Sequence, residues 1–497
     1  MTRAGCLVTL LLLPACSVGP DYRQPAVDVP AAYRATQTSA TAAWPTEDWW
    51  KSFQSVELDG LIEAARAHNL DLAAAAARVR QADALARIAT ASLFPSLTTG
   101  GSATWQHTGL NTSGRTRAGG PSTASVETRN YGFGLDVSYV VDFWGRNRSI
   151  STAAEVDAVT SRFDQRTITL AVVTQVAATW FTALALADRL AVAEANLAGF
   201  ERTLAAIRGR FDVGTASALD VAQQETVVAL GRAAIPNFRN QMEQQLLALG
   251  ILTGRPPEAI TLRPVTLTSI HLPIVSAGLP SALLMRRPDI AAAEAALVAA
   301  NYDIKAARAA FFPTVSLTGS AGYQAGAFSA LLLPGSALMS LAAGLTAPLF
   351  DGGTLLGRLE FARARYEELE ANYRRTIVQA FTDVDAALTA WRFTSEQLER
   401  QTLAVEAARR AAAIARAQLG AGTVDITTVT QIEAALFNAE DNLTQIRLAR
   451  TLALVNLYKA LGGGWTRPDG RIEDLFPGLI PGAVQGGITL PTGIMGQ

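Results

Sequence analysis

Asn130-Tyr131-Gly132-Phe133-Gly134-Leu135-Asp136-Val137-Ser138-Tyr139-Val140-Val141-Asp142 alternates almost without error. Tyr131, Phe133, Leu135, Val137, Tyr139 and Val141 fall on one side of an extended chain. Asn130, Gly132, Gly134, Asp136 and Ser138 fall on the other, and only Val140 breaks the pattern. Val315, Leu317, Gly319, Ala321 and Tyr323 alternate in the same way with Ser316, Thr318, Ser320, Gly322 and Gln324. Residues 97–106 and 340–350 are noisier versions. Each run has about the ten residues of a tilted strand crossing a bilayer. Trp105, Tyr131, Tyr139 and Tyr323 lie near the ends, where aromatic rings suit membrane interfaces. A soluble sheet with one buried face has the same period. Context separates the two readings. Four strands cannot close a barrel, and an open edge has no hydrogen-bond partner in hydrocarbon. The sequence therefore predicts several chains pooling their strands, and three chains would supply twelve. Glycine and small polar residues on the second face suit a water-filled lumen.

The chain is written twice. Leu93-Phe94-Pro95-Ser96 returns as Phe311-Phe312-Pro313-Thr314, a shift of 218 (312 minus 94). Val213-Gly214-Thr215 returns as Ala421-Gly422-Thr423, a shift of 208 (422 minus 214). The ten residues lost between the shifts come from the Gly/Ser/Thr-rich stretch 109–125, longer than its counterpart 326–335. A period this long is not that of a solenoid. It predicts two similar halves with pseudo-twofold logic.

Residues 358–419 contain neither Gly nor Pro and are dominated by strong helix formers. Their apolar positions step by four and three: Leu359, Ala362, Tyr366, Leu369, Tyr373, then Ile377, Phe381, Val384, Leu388 and Trp391. The step from Tyr373 to Ile377 is a stutter, which locally relaxes a left-handed supercoil. The counterpart, 146–208, is interrupted only by Gly199. At 1.5 Å per residue such helices span about 90 Å. Each closes in a Gly-Thr turn, and a returning helix follows at 218–252 and 426–461, the first carrying Pro236. Shorter helices are expected at 58–92 and 282–310. Alone, Ala-rich heptads would describe a plain coiled coil.

Net charge is −1, so bulk electrostatics point to neither nucleic acid nor an anionic surface. Arg3 and the apolar run 7–13 read as a signal peptide, too short to span a bilayer. Leu13-Pro14-Ala15-Cys16 resembles a bacterial lipobox, with Pro14 unusual inside it. Cleavage before Cys16 would leave a single, amino-terminal cysteine for acylation, and several acyl chains anchor a protein durably. Ser17, rather than Asp, resembles an outer-membrane address among bacterial lipoproteins. No H-E-x-x-H, G-x-S-x-G or phosphate loop is present. His68, His107 and His271 are far apart and next to no Cys. Neither catalysis, a cofactor nor a metal is expected.

Several motifs are specific: Cys16-Ser17-Val18-Gly19-Pro20-Asp21-Tyr22; Gly278-Leu279-Pro280-Ser281 with Arg286-Arg287-Pro288-Asp289-Ile290; and Leu457-Tyr458-Lys459-Ala460-Leu461-Gly462-Gly463-Gly464-Trp465. With Phe311-Phe312-Pro313 and Asp142-Phe143-Trp144-Gly145-Arg146, nearly the whole mature chain resembles the TolC-like outer-membrane efflux channels, in the lipoprotein branch that serves resistance-nodulation-division pumps. The resemblance implies an α+β membrane protein and a homotrimer in outer-membrane lipid, with no nucleic-acid partner. Its twelve-stranded β-barrel, four strands per chain, would continue into a long periplasmic α-helical barrel. It implies a signal peptide at 1–15, a lipid-anchored extended segment at 16–57, repeats at 58–278 and 279–462, and a Gly/Pro-rich tail at 463–497. Within the repeats, β-hairpins are expected at 93–142 and 312–350, and long helical hairpins at 146–252 and 353–462. An equatorial belt would draw on segments near 45–55 and 255–278 and on the tail.

As function, the resemblance implies the exit duct of a tripartite exporter, passively conducting small molecules. It would meet a periplasmic adaptor and an inner-membrane RND-type pump. Gly214, Thr215, Gly422 and Thr423 would seat the adaptor's hairpin tips. Asp425 matches a tip position where lipoprotein relatives carry an acidic residue, and Asp220 occupies the tip position of the first half. In a trimer each becomes a ring of three, which attracts cations. Either Asp would equally favour a helix start. Arg208 and Arg416 would pair with a neighbouring hairpin to hold the closed state. A type I protein-secretion exit channel would use the same architecture. A periplasmic adaptor or scaffold coiled coil would share the anchor and a helical hairpin, but has one hairpin and no lipid-facing strands.

Overall fold

The computed structural model describes residues 18–34, 44–111, 123–273, 278–470 and 472. Cys16 and the tail beyond residue 472 lie outside the described residues. The chain runs α1 (Val56–His68), α2 (Leu70–Ala91), β1 (Ser96–Asn111), β2 (Thr123–Val141), α3 (Arg146–Asp212) and α4 (Ala218–Thr253). It continues with α5 (Pro280–Leu283), α6 (Pro288–Ala309), β3 (Thr314–Ala325), β4 (Ala337–Thr346), α7 (Thr354–Ala421) and α8 (Ile426–Ala460).

The duplication is visible in the element bounds. Adding 208 to 146 and 218, the starts of α3 and α4, gives 354 and 426, the starts of α7 and α8. Adding 218 to 70, 91 and 96 gives 288, 309 and 314, the bounds of α6 and the start of β3. With 67 and 68 residues, α3 and α7 are each about 100 Å long. The α4 helix continues through Pro236.

The strands form one antiparallel sheet in the order β1-β2-β3-β4, so β1 and β4 are free edges. The register places Leu97 opposite Val137, Val137 opposite Gly319, and Gly319 opposite Leu341. The alternating apolar residues of all four strands thus share one face. Thr98, Asp136, Thr318 and Ala342 mark the other. Apart from Phe328, whose ring meets Tyr131 edge-on, the described residues leave the apolar face bare: Leu341 is 87% exposed and Met339 84%. That is the wrong way round for a protein surrounded by water, and the right way round for one surrounded by lipid.

Two strand limits differ from the sequence reading. β4 spans 337–346 rather than 340–350. Pro348 has no N–H to give to a ladder, so pairing ends before it although Leu349 and Phe350 keep the segment apolar. The stretch 109–125 is partly ladder, with pairing continuing to Asn111 opposite Thr123.

Below the sheet, the main core gathers Trp49, Trp50 and Phe53 against α1, the middle of α3, and the ends of α4 and α8. Trp49 stacks on Tyr458 with ring centroids 4.6 Å apart, and Trp180 is fully buried. One stretch of α3 is apolar and long enough to cross a membrane, but 67% of it is buried within the chain. Its apolarity is that of a core helix. This core lies at mid-height on the long helices, where residues 49–53 and 260–272 converge.

The amino-terminal segment lies across α6 and α7. Gln24 Nε2 donates to Tyr373 Oη at 2.9 Å and to Glu294 Oε2 at 3.3 Å. Arg467 adds a buried bridge to Glu294 at 2.7 Å. Asp21 pairs with Lys305 at 3.2 Å, four residues before α6 ends and the chain turns into β3.

Candidate functional site at the helix tips

Both long helices end on a glycine with left-handed backbone, Gly214 at φ +77° and Gly422 at φ +75°. This is the conformation that closes a helix by handing its last carbonyls to the turn. Thr215 N–H donates to Arg210 O at 2.8 Å, and Thr423 N–H to Gln418 O at 3.0 Å. The threonine hydroxyls repeat the contact, donating to the same two carbonyls at 3.0 and 3.2 Å. The paired Gly-Thr turns are therefore one local device used twice.

The returning helices open on mirrored caps. Ser217 caps α4: Asp220 N–H donates to its hydroxyl at 3.2 Å, and Asp220 Oδ2 accepts from Ser217 N–H at 2.8 Å. Asp425 caps α8, accepting from Thr428 N–H at 2.8 Å and from the Thr428 hydroxyl at 3.1 Å. Ser217 and Asp425 are 208 apart, as are Asp220 and Thr428, so the two residue types have changed places between repeats. Both aspartates thus have a helix-starting role. The Thr428 N–H holds the exposed Asp425 carboxyl below the usual carboxylate range.

Between the two tips lies a cleft of about 340 Å³. Asp220, Asp425, Gly422, Thr423 and Arg210 line it. Arg210 Nη1 crosses it to donate to Leu419 O at 2.9 Å, tying one hairpin to the other. Ile207, Leu419, Ile426 and Val429 form a small apolar cluster behind it. Of the residues that the sequence reading placed at the tips, Asp220, Gly422, Thr423 and Asp425 line this cleft and Gly214 and Thr215 do not; Arg210 was not among them.

Arg208 and Arg416 do not line this cleft. Within the chain each bonds the returning helix of its own hairpin, Arg208 to Glu225 at 2.6 Å and Arg416 to Glu433 at 2.8 Å. These partners were also readable, because each pair is 17 residues apart (225 minus 208; 433 minus 416) and repeats with the shift of 208. Their surroundings differ. Arg208 and Glu225 are exposed, whereas Glu433 is fully buried and also accepts from Thr203 on α3 at 3.0 Å. A Cβ at Gly199 would sit 3.3 Å from Arg416 Nη2, so this glycine in the body of α3 leaves room for that guanidinium. Among the described residues, no group of three or more His, Cys, Asp or Glu side chains is arranged to hold a metal.

The geometry offers an apolar strand face for lipid, helices about 100 Å long, and a polar cleft at the far tips. Comparison with known proteins agrees. The chain is 37% identical over 466 residues to the pyoverdine export outer membrane protein OpmQ of Pseudomonas putida, covering 94% of this chain and 98% of that one. It is 34% identical over 471 residues to the toluene efflux pump outer membrane protein TtgC of Pseudomonas putida, covering 93% and 96%. Among solved structures, the outer-membrane channel OprN superposes with a TM-score of 0.82 at 28% identity, over 90% of this chain and 100% of that one. A family model described as outer membrane efflux protein matches once in each half, at residues 61–255 and 279–463. The chain belongs to the outer membrane efflux protein family.

Proposed function

We propose that three copies of this chain form the outer-membrane exit duct of a tripartite efflux system, open to a periplasmic adaptor and an inner-membrane RND-type pump. The observation that carries this is the sheet: an apolar face left bare, a polar face of Gly, Ser and Thr, and two unpaired edges. A sheet of this kind is complete only when neighbours pair with both edges in lipid. Three chains give twelve strands with a wet lumen, and the helices prolong that lumen below the membrane. Small molecules pass through it passively, and the pump supplies the energy. Two relatives are named for pyoverdine export and for toluene efflux, both small molecules, which supports a small-molecule cargo here.

The anchor fits the same frame. Asp21 is fastened beside the strand-proximal end of α6. Cys16 is five residues earlier, within about 18 Å of extended chain. An acyl group on Cys16 would enter the leaflet from which the strands rise.

Asp425 acts as the gate carboxylate at the tips, one per chain in a ring of three. Replacing it with Ala removes both the charge and the α8 cap, and resting conductance in planar bilayers is expected to rise severalfold. Unchanged conductance would remove Asp425 from the gate. The pH dependence follows from the depressed pKa. A carboxyl held below its usual range contributes above that range and loses its contribution only as pH falls through the depressed value. Within one chain the carboxyl therefore stays charged from pH 7 down through the usual carboxylate range, whereas three such groups close to one axis raise one another's pKa. A conductance difference between wild type and Asp425→Ala that shrinks as pH falls shows the three close together, and a constant one shows them apart.

A further inference from the structure

The two outer loops are counterparts in the duplication and opposites in chemistry. The first, in the stretch 109–125, is rich in Gly, Ser and Thr and carries Arg115 and Arg117. The second, between β3 and β4, reads Gly326-Ala327-Phe328-Ser329-Ala330-Leu331-Leu332-Leu333-Pro334-Gly335-Ser336. From Thr314 to Phe350 the sequence holds no Asp, Glu, Lys, Arg or His. Phe328, Leu332 and Leu333 are nonetheless exposed. We infer that this loop rests in the outer leaflet of the membrane and, with Arg129, forms a site for a phosphate-bearing lipid. The inference rests on the barrel reading above.

One contact fixes the direction in which the loop leans. The Phe328 ring meets that of Tyr131 edge-on, with centroids 5.8 Å apart and planes at 74°. Tyr131 belongs to the apolar face of β2, in line with Phe133 and Leu135. The loop is therefore turned outward over the lipid-facing side and away from the lumen. β2 is an inner strand of the sheet, so Phe328 lies over its own chain and not over a free edge. The apolar surface continues from the strands, through Tyr131 and Phe328, onto Leu332 and Leu333.

The loop's backbone suits a medium poorer in water. Two short turns of 3-10 helix, Phe328–Ala330 and Pro334–Ser336, shape it. Ala330, Leu331, Leu333 and Ser336 each donate a backbone N–H to the carbonyl three residues earlier. Pro334 has no N–H to place, and the Ser336 hydroxyl donates to Leu333 O at 2.6 Å. Polar groups paired within the segment are what an apolar surrounding demands. Interfacial segments of this kind lie about 5–10 Å into the boundary between headgroups and acyl chains.

Charge stands beside the loop on the same face. Trp105 and Arg129 are opposite each other, two residues further out than Tyr131. A Cβ added at Gly326 would lie 3.7 Å from Arg129 O, so the loop begins next to this residue. Glu127 is 3.9 Å from the Arg129 guanidinium and 3.9 Å from His107 Nδ1, too far for a hydrogen bond. The exposed guanidinium thus keeps its donors for a ligand, and a pair of phosphate oxygens matches its fork. The Trp105 ring suits the same interfacial level. The occupant has two parts: acyl chains against Phe328, Leu332 and Leu333, and a phosphate at Arg129. A lipid of the outer leaflet carries both.

Two experiments on the full-length protein test the inference, each on variants that remain heat-resistant trimers. In proteoliposomes, nitroxide labels are placed on L332C, on L341C in mid-strand and on T108C on the polar face, with the unsubstituted protein as background. The labels on L332C and L341C are expected to collide more with dissolved oxygen than with a water-soluble nickel chelate, and the label on T108C to do the reverse. Nickel access at L332C equal to that at T108C, with L341C still shielded, overturns the inference and leaves the barrel standing. Shielding of L332C from both reagents places protein over the loop and overturns it too. Nickel access at L341C sinks the barrel reading itself. For the headgroup, diphosphoryl lipid A is added to the detergent-purified trimer, and retained lipid is counted by native mass spectrometry. R129Q is expected to retain about fivefold less than wild type, and R129K, which keeps the charge, most of it. F328S/L332S is expected to lose retention as R129Q does, and excess inorganic phosphate to leave the lipid in place. Unchanged retention in R129Q, or displacement by inorganic phosphate alone, overturns the lipid site.

Discussion

Leu341→Arg is expected to clear this protein from the outer membrane, while Ala342→Arg, one residue away, is expected to leave it there. Leu341 stands in the middle of β4, opposite Gly319, with 87% of its surface bare. An Arg near the bilayer midplane costs about 2–4 kcal/mol. A closed barrel of three chains carries the change three times, so the total is about 6–12 kcal/mol, comparable to the whole stability of an ordinary domain. Ala342 pairs with Thr318 and points to the opposite, polar face. A charge there meets water and should change conductance rather than insertion. The readout is the amount of heat-resistant trimer in outer-membrane fractions. Equal insertion of the two variants would mean that the apolar face does not meet lipid.

The faces behind this contrast were legible because a strand's period of two needs no knowledge of its neighbours. The same is true of the helix lengths, set by a run without Gly or Pro, and of the Gly-Thr turns, which are closed by bonds four or five residues long. The end of β4 was obscured because Leu349 and Phe350 continue the apolar composition, while the missing donor of Pro348 ends the ladder. Arg210 was missed because its acceptor is a backbone carbonyl 209 residues away, Leu419 O, which no local pattern marks. The burial of Glu433, against the exposure of Glu225, was also hidden. Both sit in the same local sequence context, and only the packing of α8 on α3 separates them. Asp220 and Asp425 were read as tip carboxylates with capping as the competing role. The structure gives both a helix-starting role and places both beside one cleft.

Gly422→Asp is expected to abolish export while trimer content stays at the wild-type level. The backbone there is left-handed, and a side chain in that region costs about 1–2 kcal/mol, with Asp and Asn among the residues that tolerate it best. A new Cβ would meet only Arg210 Nη2, at 3.9 Å, so no clash forces the hairpin apart. The helices behind the turn are about 100 Å long and packed along their length, so a local cost of this size does not unfold them. What the substitution does change is the mouth of the tip cleft. A carboxylate is added beside Asp425 and within reach of Arg210, which is then drawn away from Leu419 O. An adaptor tip seated on the Gly-Thr turns loses both its space and its electrostatic match. Gly422→Asn carries the same backbone cost without the charge and should retain part of the export activity. Gly214→Asp, at the turn with no heavy atom near its Cβ, should fail in the same way as Gly422→Asp. The measurement is drug resistance of a strain relying on this duct, alongside trimer content and adaptor co-purification. Full resistance in Gly422→Asp, with the adaptor still bound, would show that the tips do not seat the adaptor and that it grips the duct elsewhere on the helical barrel.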